Sequence, residues 1–196
     1  MSFEKQEIVF VTHNKGKIAT AQKYFTKNQL EFKIYEYELE EPRSDDLRTI
    51  AESKVKQAFK LVNKPCIALD TGFYINSLNG FPKAFVNFAL DTLGVDGILK
   101  LMDGVEDRSC YFGECLAYYD GAYLQFFECK IPGLISFKKL GKDTDVKWSD
   151  LWYIFIPQGY DLTLAQMDDD MRNERQRKMP KESIEMFSIW YKQRLK

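Results

Sequence analysis

The chain has 196 residues, 45% of them hydrophobic and 15% aromatic, and its 28 Lys and Arg residues nearly balance 29 Asp and Glu residues for a formal net charge of −1. This composition predicts a folded globular protein and excludes a disordered or fibrous chain. The balanced charge argues against bulk binding to nucleic acid, which requires an excess of Lys and Arg. No apolar run approaches the roughly 20 residues that a membrane-spanning helix requires, and the first residues lack the features of a signal peptide. We therefore expect a cytoplasmic protein with no nucleic-acid or membrane partner.

The four cysteines point to the same compartment. Cys66, Cys110, Cys115 and Cys129 form no C-x-x-C pair, and each lies in an apolar or strand-like stretch of sequence. Reduced, packed thiols are typical of cytosolic proteins, so we expect no disulfide.

The first 70 residues are predicted to alternate strands with helices. In chain order, the prediction is a strand over 8–12, a helix that ends near Asn28, a strand over 31–39, a helix over 46–62 and a strand over 66–69. The apolar stripe of the second helix is expected to comprise Leu47, Ile50, Ala51, Ala58, Leu61 and Val62. This alternation favours an α/β fold with a largely parallel sheet.

The remaining chain adds antiparallel structure and a closing helix. Residues 83–103 are predicted to be helical in two pieces, and the aromatic-rich strands 109–119 and 122–131 are joined by an Asp120-Gly121 hairpin turn. A third strand is expected near Leu134. The last helix is predicted to start at about Pro180 and to carry Ile184, Phe187, Trp190 and Leu195 on one face. We expect residues 1–196 to form a single domain with two lobes.

Two polar residues end predicted buried strands, where open α/β sheets bind their ligands. These residues are Thr12 and Asp70. The residues after Thr12 lead directly into a helix, whose first N–H groups attract anions, and Lys15 and Lys17 add positive charge. This segment is either a phosphate-binding loop or a solvated loop that is rich in lysine.

Lys54 is the third unusual residue, because its spacing places it on the apolar face of the predicted helix 46–62. It either extends along that face to solvent or directs a cation towards a phosphate. The acidic loop 40–46 before this helix is either solvated or the source of a metal ligand. In the second case Glu41 and Asp70 would form a carboxylate pair able to hold Mg²⁺ on a polyphosphate.

Five motifs in this order resemble the inosine triphosphate pyrophosphatase family, whose members cleave noncanonical purine nucleoside triphosphates. They are T-H-N-K-G-K at 12–17, A-L-D-T-G-F at 68–73, L-N-G-F-P at 78–82, F-x-P-x-G-Y at 155–160 and T-L-A-Q-M at 163–167. The spacing from Lys54 to Asp70 also agrees with the family. Together these motifs extend over essentially the whole chain.

The resemblance implies an elongated mixed sheet with flanking helices, two lobes around a central nucleotide cleft, and a homodimer. It implies Mg²⁺-dependent hydrolysis of a nucleoside triphosphate to the monophosphate and pyrophosphate. Thr12, Asn14, Lys17 and Lys54 would contact the phosphates. Glu41 would bind the metal, although Glu40 stays open as an alternative. Asp70 would bind the metal or act as the general base, with Thr71 beside it.

The segments that would contact the base depart from the family pattern. The family's F-G-[WY]-D-P is Ser149-Asp150-Leu151-Trp152-Tyr153 here, so Asp150 would bond the base while Trp152 or Trp148 would stack on it. The family's E-K-x becomes residues 171–173, where Arg172 keeps a cation. Its S-H-R becomes residues 176–178, so Arg177 and Lys178 would replace the histidine that contacts the base. Leu69 also replaces the acid that usually precedes Asp70.

We therefore expect a nucleoside triphosphate pyrophosphohydrolase with altered base recognition. Two alternatives stay open, namely a nucleotide-binding regulator with little turnover and an interaction protein built on the same fold. Two other polar features are expected to have no catalytic role: His13 should face solvent, and the acidic run 168–170 should be a solvated turn.

Overall fold

The structure is a computed structural model that describes residues 7–179 and 181–195. Its helices are α1 (Lys15–Asn28), α2 (Leu47–Val62), α3 (Val86–Thr92), α4 (Gly94–Leu101), α5 (Asp169–Lys178) and α6 (Ser183–Arg194). Its strands are β1 (Ile8–Val11), β2 (Phe32–Tyr35), β3 (Cys66–Ile75), β4 (Pro82–Lys83), β5 (Ser109–Tyr119), β6 (Leu124–Ile135) and β7 (Phe155–Pro157). Short 3₁₀ helices cover Asn76–Leu78 and Asp150–Tyr153.

Seven strands form one mixed sheet, which confirms the predicted α/β class. Their order is β2-β1-β3-β5-β6-β7, and β4 pairs with β3 outside this series. β1 is parallel to both β2 and β3, whereas β4 is antiparallel to β3 and β7 is antiparallel to β6. The parallel part thus belongs to the first half of the chain, where strands and helices alternate.

The chain divides into two compact units. The first unit comprises the described residues up to Asp70, Glu114–Cys129 and the described residues from Lys181 onward. Its core includes all four residues of β1, which are at most 5% exposed, and α1 packs against α6. Burying an apolar side chain of this size contributes about 1.5–3 kcal/mol to the free energy of unfolding. This short strand therefore fixes the position of the loop that follows it.

The second unit comprises Thr71–Gly113 and the described part of Lys130–Pro180. An aromatic cluster of Phe73, Phe112 and Phe155 packs in it, with ring centroids 4.7 to 6.0 Å apart. Arg108 is buried there as well, and its guanidinium donates to the carbonyl oxygens of Met102, Ile135 and Ser136. These three hydrogen bonds compensate the burial of the charged guanidinium.

Several predicted elements are confirmed with small shifts in their ends. The hairpin turn forms at Asp120 and Gly121, where Gly121 has a φ of +98° and a Cβ would collide with the Phe59 ring. All four cysteines are free, and Cys66, Cys110 and Cys115 are buried. Burial raises the pKa of the Cys66 thiol to about 12. Within residues 7–179 and 181–195, no helix combines the length and apolar character needed to cross a membrane.

Four predictions about local structure are wrong. Leu61 is 47% exposed, and the α2 stripe instead buries Val55, which lies near the middle of the helix. No strand starts near Leu134, because β6 continues through that residue to Ile135. The strand predicted over 66–69 continues to Ile75, where β4 pairs with it. The acidic run 168–170 is not a turn but the start of α5, capped by the Asp168 side chain. The predicted start of the last helix, Pro180, lies outside the described residues.

Candidate active site

The Lys54 ammonium group joins two carboxylates in the first unit. Its Nζ lies 2.7 Å from Oε1 of Glu41 and 3.1 Å from Oδ1 of Asp70. The side chains of Lys54 and Asp70 are only 13% and 7% exposed, whereas that of Glu41 is 49% exposed. Asp70 lies in β3 and Lys54 on the inward face of α2, so two regular elements fix the pair. A lysine at this apolar-face position therefore directs its charge to a carboxylate cluster, not to bulk solvent.

Glu41, and not Glu40, provides the second carboxylate of this cluster. The backbone of Glu40 is instead held by Gln57 of α2, which donates to its carbonyl oxygen at 2.8 Å and accepts from its N–H at 3.1 Å. This clamp fixes the acidic loop directly beside the helix, which lets the next residue reach Lys54. The geometry thus favours Glu41 over the alternative left open by the spacing in the sequence.

The cluster shifts the proton affinities of its members. Burial alone would lower the pKa of Lys54, but Asp70 and Glu41 outweigh burial and raise this pKa above its usual value. Burial also raises the pKa of Asp70, and the charges of Lys54 and Lys17 oppose that rise. The two shifts favour different protonation states of the pair. Because Lys54 touches two carboxylates at short distance, the ionised pair is the state that the geometry supports.

Lys17 supplies a second cation in the same unit. Its ammonium donates to the carbonyl oxygen of Leu69, next to Asp70, at 3.1 Å. Burial, together with the positive charge of Lys54, lowers the pKa of Lys17 to about 8. Leu69 stands where the resembled family usually has an acid. Lys17 contacts the backbone oxygen of this residue, a contact that does not depend on its side chain.

The loop before α1 is ordered by its own side chains. Asn14 caps α1, because its Oδ1 accepts from the N–H of Lys17 at 2.9 Å, and Thr12 Oγ1 accepts from the N–H of Asn14 at 3.2 Å. Lys15 is exposed at the first position of the helix, and His13 is exposed as expected. This arrangement presents the N-terminal end of α1 in an orientation suited to an anion.

The second unit contains the predicted base-contacting residues. The Arg172 guanidinium lies 5.9 Å from the centre of the Trp152 ring, and it donates to the carbonyl oxygens of Leu164 and Met167. The Arg172 guanidinium also forms an ion pair with Asp169, whose Oδ1 lies 2.7 Å from Nη2 of Arg172. Carbonyl and carboxylate oxygens therefore hold the Arg172 guanidinium near the face of the Trp152 ring.

The other predicted residues of the second unit are more exposed. Lys178 pairs with Glu174 one turn earlier on α5, and Arg177 is exposed on the same helix. Thr71 is half-buried in β3. Asp150 contacts Lys147 at 2.8 Å, a partner that the sequence interpretation missed because nothing in the sequence shows how the loop before Asp150 folds.

The sequence interpretation also missed a buried carboxyl group in the first unit. Glu114 is 3% exposed, and one of its oxygens accepts from the N–H and the hydroxyl of Ser183 and from the thiol of Cys129. Burial, together with nearby Glu182, raises the pKa of Glu114. Since Ser183 begins α6, Glu114 caps this helix from a distant strand. An isolated Glu between apolar residues of a predicted strand was the available signal.

Glu41 and Asp70 fit a magnesium ion in the chemistry of their donor atoms. Mg²⁺ prefers oxygen ligands and usually takes one or two carboxylates, with phosphates and water completing its shell. Within the described ranges, no group of three or more His, Cys, Asp or Glu side chains is arranged to hold a metal ion. Glu41 and Asp70 thus provide the number and type of protein ligands that a Mg²⁺ site usually has.

Residues 8–179 match the sequence model of the Ham1 family. The chain belongs to the Ham1 family. A relative from Thermococcus kodakarensis named dITP/XTP pyrophosphatase is 31% identical over 96% of this chain and 99% of its own length. Another of the same name, from Saccharolobus solfataricus, is 32% identical over 85% of both chains. These matches confirm the family resemblance found in the motifs.

Solved structures of Ham1 proteins confirm the fold. The chain matches a HAM1 protein from Coxiella burnetii with a TM-score of 0.78 at 20% identity, over 96% of this chain and 99% of the other. It matches the Ham1 protein of Staphylococcus aureus with a TM-score of 0.75 at 21% identity and the same coverage. The mixed α/β sheet with its helices is thus the architecture of this family.

Proposed function

We propose that this Ham1 protein is a hydrolase that cleaves noncanonical purine nucleoside triphosphates to the monophosphate and pyrophosphate. Membership of the family and relatives named dITP/XTP pyrophosphatase support this activity. The observation that carries it is the cluster in which Lys54 joins Glu41 and Asp70, with Lys17 held beside Asp70. Phosphoryl transfer depends mainly on positioning and charge neutralisation, and such a cluster provides both.

The cations of the first unit would bind the triphosphate. Thr12, Asn14 and Lys15 present the start of α1 to the phosphates, where N–H groups and helix polarity favour negative charge. Lys17 and Lys54 neutralise phosphate oxygens from two different helices. Since both ammonium groups are already held by protein oxygens, little reorganisation is needed when the substrate binds.

Glu41 and Asp70 are the residues that would hold Mg²⁺. Bound Mg²⁺ would neutralise charge on the phosphate oxygens and orient them for cleavage. Asp70 is also the candidate general base, since a carboxylate whose pKa is raised by burial accepts a proton from water more readily than an exposed one. We expect removal of divalent metal with EDTA to abolish turnover and addition of Mg²⁺ to restore it.

The second unit would contact the base and its neighbourhood. Trp152 and Arg172 would provide the stacking surface, Asp150 a hydrogen-bond acceptor, and Arg177 and Lys178 donors in place of the missing histidine. Thr71 directly follows Asp70 in the sequence and would contact the substrate beside it. Because these residues depart from the family pattern, we expect a weaker preference for ITP and XTP than in a usual member.

A panel of nucleotides tests this function. The chain is incubated with dITP, ITP, XTP and the four common NTPs and dNTPs in Mg²⁺, and pyrophosphate release is measured. We expect cleavage that Asp70→Asn reduces by at least about 10²-fold. Release that is absent, or unchanged in Asp70→Asn, would contradict an enzymatic role. Tight nucleotide binding without release would instead favour a nucleotide-binding regulator, and neither binding nor release would favour an interaction protein.

We further propose a cytoplasmic homodimer. The second unit exposes large apolar side chains, among them Phe88 at 69% and Phe137 at 84%, and a subunit contact would remove such side chains from water. Light scattering coupled to gel filtration should give twice the mass of the 23.0 kDa chain. A monomer mass at micromolar concentration would contradict the dimer.

A further inference from the structure

Lys147 of the second unit contacts two carboxylates and a hydroxyl group. Its Nζ lies 2.5 Å from Oδ1 of Asp143, 2.8 Å from Oδ1 of Asp150 and 3.3 Å from the Tyr153 hydroxyl. An ammonium group has three N–H donors, and these three acceptors use all of them. The side chain is 22% exposed and also lies over the Tyr153 ring at 4.9 Å from its centre. Lys147 therefore fixes its neighbours and has no donor left for a ligand.

The Asp150 carboxylate, unlike the Lys147 ammonium group, has only part of its hydrogen-bonding capacity in use. Its contact with Lys147 uses Oδ1, and its side chain is 50% exposed. Among residues 7–179 and 181–195, the structure shows no other hydrogen bond or ion pair of the Asp150 carboxylate, so Oδ2 stays available as an acceptor. Lys147 holds Oδ1 and thereby fixes the orientation of the carboxylate, while Oδ2 can accept a hydrogen bond. A side chain that recognises a ligand requires such a fixed orientation.

We propose that Lys147 is a positioning residue, which fixes Asp150 as the hydrogen-bond acceptor for the base of the bound nucleotide. This inference rests on the proposed function. It selects a purine that presents an N–H at position 1, which is the 6-oxopurine class. Adenine presents a bare nitrogen at that position, so its lone pair would face the carboxylate without a proton between them.

The position of Asp150 explains why a second residue is needed. Asp150 precedes the stacking candidate Trp152 by two residues at the start of the 3₁₀ helix, whereas the family's Asp directly follows the aromatic residue. Ser149 precedes it in extended backbone and makes no side-chain cap there. The Lys147 contact three residues earlier is therefore the interaction that holds this carboxylate in place. Trp152, whose ring centre lies 5.9 Å from the Arg172 guanidinium, is part of the same 3₁₀ helix and would orient the plane of the base.

Steady-state kinetics with dITP and dATP test this positioning role. In Lys147→Met, we expect kcat/KM for dITP to fall about tenfold, mainly through KM, and that for dATP to change less than about twofold. Lys147→Arg should recover most of the ratio between the two substrates, since it restores a cation beside Asp150. In an Asp150→Asn background, Lys147→Met should have no further effect on that ratio.

Asp143→Asn is the matched control, because it removes a carboxylate from Lys147 and leaves the contact with Asp150 intact. We expect it to keep the dITP to dATP ratio within about twofold of the wild-type value. Equal losses for both substrates in Lys147→Met, or a further change in the Asp150→Asn background, would show a purely structural role and overturn the proposal. If the wild-type chain cleaves no triphosphate, the proposed function fails and this inference fails with it. If it cleaves dITP and Lys147→Met keeps the ratio, only this inference fails.

Discussion

The phosphate-contacting candidates of the first unit and the base-contacting candidates of the second are built differently. Lys54 and Asp70 are 13% and 7% exposed and lie in a helix and a strand, whereas Asp150 is 50% exposed at the end of a loop. A buried ion pair tolerates little change, because removal of one partner leaves an uncompensated charge. An exposed carboxylate can be supplied from a sequence position one or two residues away, provided that another side chain fixes its orientation. The first group matches the family motifs, whereas the second departs from them.

Replacement of Lys54 should reduce activity more than any other replacement of a cation considered below. In Lys54→Met, the two carboxylates lose their shared cation and the phosphates lose a contact, so we expect kcat/KM to fall by about 10²–10³-fold. The same change leaves Asp70 buried without a partner and should lower the thermal midpoint. Kinetics at a temperature where circular dichroism shows a folded protein separate the two effects.

Lys56 offers the matched control on the same helix. It forms an exposed pair with Glu52, and its side chain is 49% exposed. Lys56→Met should keep kcat/KM within about twofold of the wild-type value, since exposed ion pairs contribute little. Equal losses in the two variants would mean that the cluster around Lys54 has no special role.

A smaller effect is expected from pH, through Lys17. The pKa of this lysine is lowered to about 8, so it is charged below that pH and neutral above it. If its charge binds phosphate, kcat/KM should fall roughly tenfold per pH unit above pH 8. Lys17→Arg should move this alkaline limb upward, because an arginine keeps its charge throughout the range. Lys15→Arg, a change at an exposed neighbour, should leave the limb in place.

The smallest effect should come from the base-contacting side. In Arg172→Leu, the Trp152 ring loses the cation that lies over it, and we expect KM for dITP to rise about threefold to tenfold with kcat nearly constant. Lys130→Met is the control, since Lys130 also lies over a ring in the second unit, that of Tyr111 at 4.7 Å. An equal rise in KM for the control would argue against a specific role for Arg172.

The sequence predicts the first half of the fold well because its signals are local. Buried β1 is a continuous apolar run, and α1 and α2 begin at the side-chain caps Asn14 and Asp46. The errors arise where tertiary packing decides. Leu61 has the right spacing for the core but lies in the last turn of α2, where it is exposed. Helix α5 has few apolar residues, so periodicity could not show it, although its acidic first turn and basic last turn were a usable signal.

The candidate site shows the same division. The sequence singles out Asp70 as the end of the predicted strand 66–69, although β3 continues past it to Ile75, and Lys54 by its charge on an apolar face. The structure places the two side chains in contact. The roles of Lys147 and Glu114 depend on contacts across a folded loop and across 69 positions of chain, which spacing alone does not reveal. Such contacts require the folded structure.

Product analysis of dITP hydrolysis distinguishes a pyrophosphohydrolase from a phosphatase that removes only the terminal phosphate. Wild-type protein with Mg²⁺ and dITP should yield dIMP and pyrophosphate in equal amounts, resolved by phosphorus NMR or ion-exchange chromatography. Asp70→Asn, assayed in parallel, should yield neither above background. Release of inorganic phosphate and dIDP, or equal product formation by wild-type protein and Asp70→Asn, would contradict a pyrophosphohydrolase that depends on the Glu41–Lys54–Asp70 cluster.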